Sequence, residues 1–136
     1  MKVTTLDQNN RLYMLLNAPD CPLRMAITGQ VYKESRFVKV GTVSLEDVVI
    51  NSLPMSGDQV QLSTANVNIY VTDVSVDGSE FANTRRLGEL AALALLTLEE
   101  GYGPDYQYYF VRQGVSDEPE TQTHYANIRV DFRYYP

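Results

Sequence analysis

Apolar and polar positions along this chain of 136 residues change period several times, and each change predicts an element. Leu12, Leu15 and Leu16 cluster at helical spacing, which predicts a short helix over residues 5–17, with Thr5 as its cap and Asp7 at the positive end of its dipole. Ala18-Pro19-Asp20-Cys21-Pro22 stops it. Over residues 23–32 the period becomes two, with Met25, Ile27, Gly29 and Val31 on one face and Arg24, Thr28 and Gln30 on the other. That alternation predicts a strand, in which Gly29 marks a bulge or the close approach of another backbone. Over residues 33–45 periodicity dissolves, and the stretch reads as a long loop or mobile arm.

The β-branched run Val48-Val49-Ile50, inside residues 47–53, predicts a short strand closed by the turn-rich Pro54-Met55-Ser56-Gly57-Asp58. The clearest alternation follows, with Ala65, Val67, Ile69 and Val71 facing one way and Asn66, Asn68, Tyr70 and Thr72 the other. Upstream, Val60 and Leu62 carry the opposite phase. A one-residue slip sends every side chain to the wrong face, so a bulge or break is expected near Ser63 and Thr64. Asp77-Gly78-Ser79 reads as a turn. Asn83 or Thr84 then caps a helix running to about Glu100, stopped by Gly101 and Gly103-Pro104. Leu87, Leu90, Ala91, Ala94 and Leu98 form its apolar stripe, which Leu93, Leu95 and Leu96 widen around most of the circumference; such a helix packs on a sheet and has surface left for a neighbour. Two strands close the chain, over residues 106–113 and 125–134, joined by an acidic loop with Asp117, Glu118, Pro119 and Glu120. The fold class expected is α+β, a mainly antiparallel sheet with one long apolar helix packed on it and a short N-terminal helix. Residues 1–136 form one domain in this reading, with a mobile arm at 33–45.

Charge sharpens the picture. Eleven Lys and Arg against seventeen Asp and Glu give a formal net charge of −6, and residues 73–120 hold ten acids against Arg85, Arg86 and Arg112 alone. Duplex binding relies on a basic face that displaces counterions, so this balance argues against tight nucleic-acid binding and suits a conduit through which DNA slides. The apolar run over residues 87–98 is shorter than the roughly 18 residues a membrane span needs. The first residues carry no apolar core of a signal peptide, and Cys21 is the sole cysteine; a cytoplasmic setting in a reducing compartment is expected.

No catalytic, cofactor-binding or metal-binding residue is predicted, because no constellation surrounds the reactive groups. His124 is the only histidine and has no zinc-site or Ser-His-Asp spacing near it, while Cys21 lies between Asp20 and Pro22 with no local cation. Gly101-Tyr102-Gly103-Pro104 follows a helix, whereas phosphate loops precede one. Seven of the ten tyrosines, Tyr102, Tyr106, Tyr108, Tyr109, Tyr125, Tyr134 and Tyr135, fall in or beside the closing strands. Cross-strand packing and a protein interface both account for them. Arg129, Asp131 and Arg133 share one strand face, as a solvated outer surface or a contact. Arg85 and Arg86 oppose the dipole at the start of the apolar helix, so a partner carboxylate from within the chain or from a neighbour is expected. The candidate interface residues are therefore Phe37, Val38, Val40, Arg85, Arg86, Tyr125, Arg129 and Arg133.

The order of helix, strand, polar excursion, paired strands, helix and paired strands resembles the tail terminator and head–tail joining proteins of long-tailed phages and prophages. The residues that carry the resemblance are Glu46-Asp47-Val48-Val49-Ile50-Asn51-Ser52-Leu53-Pro54, Ala65-Asn66-Val67-Asn68-Ile69-Tyr70-Val71, the helix over residues 84–100, and His124-Tyr125-Ala126-Asn127-Ile128-Arg129-Val130-Asp131-Phe132. The resemblance spans nearly the whole chain and lies in pattern, with no diagnostic motif. It implies a non-enzymatic homo-oligomeric ring, commonly hexameric, that sits on the tail tube, stops its growth and meets the head connector as a virion component. A monomeric protein- or ligand-binding module fits the same composition; an exposed sheet edge favours a ring or filament, and a concave pocket lined by converging polar groups favours an enzyme or ligand binder.

Overall fold

The computed structural model describes residues 2–36 and 45–135. The first helix, α1 (Thr5–Leu16), is capped by Thr4, one residue before the expected cap Thr5. Thr4 accepts from the Asp7 backbone N–H, and Asp7 accepts in return from the Thr4 N–H at 2.8 Å, closing a capping box. That backbone hydrogen bond, helped by the Thr4 hydroxyl, holds the Asp7 pKa below the usual carboxylate range. The strand expected over residues 23–32 is not there. Pro22 instead opens a single helical turn, α2 (Pro22–Ala26), because its fixed φ suits the first helical position. Leu23 and Ile27, four apart, both enter the core while Met25 between them is exposed, a spacing that suits a turn of helix and not a strand. The strand that forms is shorter and later, β1 (Val31–Lys33).

The expected close approach at Gly29 is present. A Cβ there would lie 2.5 Å from the Glu46 carbonyl oxygen and 2.0 Å from an Asp47 carboxylate oxygen, and the Gly29 N–H donates to that carbonyl. The contact brings the chain entering β2 (Val48–Ser52) alongside the one entering β1, and the two strands pair in parallel. β2 then pairs antiparallel with β3 (Gln61–Thr72), which continues without the break expected at Ser63 and Thr64. The Asp77-Gly78 turn is formed with both residues at positive φ, joining β4 (Val74–Val76) to β5 (Ser79–Phe81) as a two-residue hairpin.

Asn83 caps α3 (Thr84–Leu98), its side chain accepting from the Arg86 N–H. The helix ends before Glu100, and the glycines expected to stop it belong to β6 (Glu100–Gly103). They lie opposite tyrosines of β7 (Tyr106–Glu118): a Cβ on Gly101 would sit 2.3 Å from the Tyr108 ring, and one on Gly103 2.2 Å from the Tyr106 ring. Glycine is needed here so that each ring can lie flat across the neighbouring strand. β7 runs past the expected Gln113, so Asp117 and Glu118 are strand residues and the loop shrinks to a 3-10 turn, Pro119–Thr121, before β8 (Thr123–Tyr134). Strand order is β1-β2-β3-β8-β7-β6, with β4-β5 as a separate two-stranded sheet. The fold is α+β with a mainly strand architecture. Its six-stranded sheet is mixed, since β1 and β2 run parallel, and its two larger helices, of 12 and 15 residues, are comparable in length.

The described α-helices lie over one sheet face. Ile50, Ala65, Val67, Ile69, Ala126, Ile128, Val130 and Phe132 pack there with Leu12, Leu16, Leu87, Leu90, Ala94 and Leu98 in one continuous core. The core turns polar beneath α1, which explains why the apolar phase of β3 fails at Ser63. The Tyr134 hydroxyl donates to Gln8 Oε1 at 2.8 Å, Gln8 Nε2 donates to Ser52 and Ser63 Oγ at 2.9 and 3.1 Å, and Ser52 Oγ donates to Asn9 Oδ1 at 2.7 Å. These bonds fix the register of α1 on the sheet. Burial pushes the Tyr134 phenol well above its ordinary pKa, so it remains a donor at all ordinary pH. Tyr134→Phe is expected to strand the buried Gln8 carbonyl and cost about 1–3 kcal/mol, read as a lower urea midpoint with an unchanged slope.

Candidate assembly surface

Alternation along β8 sends Tyr125, Asn127, Arg129, Asp131 and Arg133 to the second sheet face, which no helix among the described residues covers. Its middle is a run of asparagines. Asn66 Nδ2 donates to Asn51 Oδ1 at 3.1 Å, and Asn127 Nδ2 donates to Asn66 and Asn68 Oδ1 at 3.2 and 2.7 Å, tying β2, β3 and β8 together. At one end Thr64 donates to Asp131 at 2.7 Å; at the other Tyr70 and Tyr125 pack with tilted rings, centroids 5.0 Å apart. Burial raises the Tyr70 pKa, with Glu118 adding to the effect, so the Tyr70 phenol stays uncharged.

Arg36 caps this end of the face. Its guanidinium lies 3.9 Å from the Tyr70 ring centroid, with Asp47 and Glu118 carboxylates at 3.5 and 3.4 Å and the Thr121 hydroxyl at 3.1 Å. Only 6 % of its side chain is exposed, and 7 % of Asp47's. The arm expected over residues 33–45 is thus pinned at its start, where Lys33 belongs to β1 and Arg36 is buried. Phe37, Val38 and Val40 lie outside the described residues.

The expected candidates separate into two groups. Tyr125, Arg129 and Arg133 do share the uncovered face, whereas Arg85 and Arg86 lie on the helix side. The carboxylate expected for Arg86 comes from within the chain: Glu46 accepts from Nε at 2.6 Å and from Nη2 at 2.8 Å, and the Ala26 carbonyl accepts at 2.7 Å. The Glu46 hydrogen bonds, outweighing burial, raise the Arg86 pKa. Arg85 is 92 % exposed and, among the described residues, reaches only Glu89, four residues on. His124 pairs with Asp73 at 2.6 Å where the hairpin leaves the sheet, and Cys21 is buried beside Thr97. Among the described residues no group of three or more His, Cys, Asp or Glu could hold a metal ion, and no helix is long and apolar enough to cross a membrane.

Two features escape sequence reasoning. β6 covers β7 only as far as Tyr109, so residues 111–118 are paired to β8 on one side and to no described strand on the other. An extra residue, Val111, bulges between the Phe110–Val130 and Arg112–Arg129 pairs at the start of this free edge. The other feature is the β4–β5 hairpin, whose Val74, Val76 and Phe81 are all exposed. Comparison of the chain with protein-family models and with curated proteins finds no match.

Proposed function

We propose that this chain is a structural subunit that works by assembling with copies of itself into a ring, as the phage tail terminator and head–tail joining proteins it resembles do. The observation that carries the reading is the free β7 edge. Unpaired strands invite further pairing and are blunted by charges, proline, bulges or cover; beyond the Val111 bulge, residues 112–118 carry Arg112, Asp117 and Glu118 but no Lys or Pro, and no described strand covers them. The polar face beside it supports the same reading, since Tyr and Arg are favoured at protein contacts and Arg129 and Arg133 have no ion-pair partner among the described residues. In this proposal the ring stands at the end of a tail tube, formed in the host cytoplasm and carried in the virion.

The acidic balance gives such a ring its channel. Glu99 and Glu100 after α3 and Glu120 in the 3-10 turn are exposed. A negative lining repels phosphates over a Debye length of about 8 Å at physiological salt, so DNA passes without sticking. Fluorescence titration with duplex DNA at low salt, where phosphate contacts are strongest, should therefore show no appreciable affinity. Tight, salt-sensitive binding would reject the conduit.

A further inference from the structure

We propose that the β4–β5 hairpin of one copy adds to the free β7 edge of the next, so that subunits join head to tail. The inference deepens the ring reading and rests on it for the partner, a second copy of this chain. Both surfaces are incomplete in the same way. The hairpin is a separate two-stranded sheet, a size that is marginal in water and becomes stable with a third strand. Residues 111–118 offer that strand.

The side-chain phases of the two surfaces coincide. On the hairpin, Val74, Val76 and Phe81 share one side and Ser75 and Glu80 the other, since Val74 pairs with Phe81 and Ser75 with Glu80. On the edge, Val115 pairs with the core residue Ala126 and so faces the helix side, where it is nonetheless exposed; Arg112 pairs with Arg129 and faces the polar side. Aligning the apolar side of the hairpin with Val115 puts Glu80 on the side of Arg112.

Charge points the same way. Arg112 and Arg129 are like charges directly opposite each other, a destabilising pair, and neither meets a carboxylate among the described residues. Asp77 and Glu80 likewise meet no cation. Joining them would relieve both. Because the contact uses two different surfaces of one chain, it repeats from copy to copy and closes into a ring when the rotation permits. Pairing of β7 with β7 would use one surface twice and stop at a dimer.

Charge reversal tests this with sedimentation velocity on the intact chain. Glu80→Arg and Arg112→Glu, both at exposed positions, should each weaken self-association at least roughly tenfold, since like charges then face each other across the contact. An equimolar mixture of the two variants should recover assembly, because each altered surface finds its complement. If Glu80→Arg assembles normally while Arg112→Glu does not, β7–β7 pairing is the contact and the hairpin proposal is wrong. If neither substitution matters and oligomers persist, the proposal fails and the ring reading stands. A parent protein that stays monomeric at every concentration overturns both. Recovery in the mixture as open filaments upholds the hairpin contact and rejects the ring.

Discussion

Leu90→Asp is expected to abolish the cooperative thermal melt, and Ala94→Asp to do the same. Both side chains are fully buried on the α3 stripe that packs against the sheet. A carboxylate at either site loses the apolar contact and has no cation within the core, so it must either remain charged in a low-dielectric interior or protonate at a cost. Removing a buried leucine side chain alone costs about 2–5 kcal/mol, and the stranded charge adds several more against a typical total of 5–15 kcal/mol. Far-UV circular dichroism during heating reads the outcome. A sigmoidal melt near that of the parent would show that α3 does not pack as described.

Arg36→Ala is expected to destabilise the protein by about 3–5 kcal/mol, the range found when one partner of a buried ion pair is removed. It leaves the Asp47 carboxylate without its cation and takes the guanidinium from the Tyr70 ring. Gln30 still donates its N–H to Asp47 Oδ1 at 3.0 Å, so the carboxylate keeps one hydrogen bond. Arg36→Lys keeps the charge but not the planar fork, and should recover only part of the loss. Urea unfolding measures both. An Arg36→Ala midpoint equal to that of the parent would mean that the cluster contributes nothing to stability.

The regular parts of the fold were legible because their periods are clean over many residues. Alternation across 65–72 and 126–134 and the stripe from Leu87 to Leu98 place β3, β8 and α3 correctly. Misreadings fall where two periods coincide or where the core is not apolar. Over 23–27, Leu23 and Ile27 satisfy a period of two and of four alike, and Pro22 decides for the helix. At Ser63 the buried face is polar by design of its partner Gln8, which no local pattern reveals. Gly101 and Gly103 read as a helix stop, although Tyr106 and Tyr108 at the mirrored positions carry the signal of a glycine–aromatic hairpin. Arg36 was invisible for another reason: its partners Asp47, Glu118 and Thr121, just before β2, at the end of β7 and in the 3-10 turn, converge only once the sheet is formed. The uncovered face with Tyr125, Arg129 and Arg133 could be read from alternation, whereas the free edge of β7 depends on where β6 stops.

Assembly is the claim on which the functional reading stands. Mass determination in solution across a concentration range, followed by imaging of the heaviest species, tests it most directly. The account predicts a single closed ring of fixed subunit number, reached from smaller species as concentration rises. A strictly monomeric protein at every concentration, or a dimer that never grows, would contradict it.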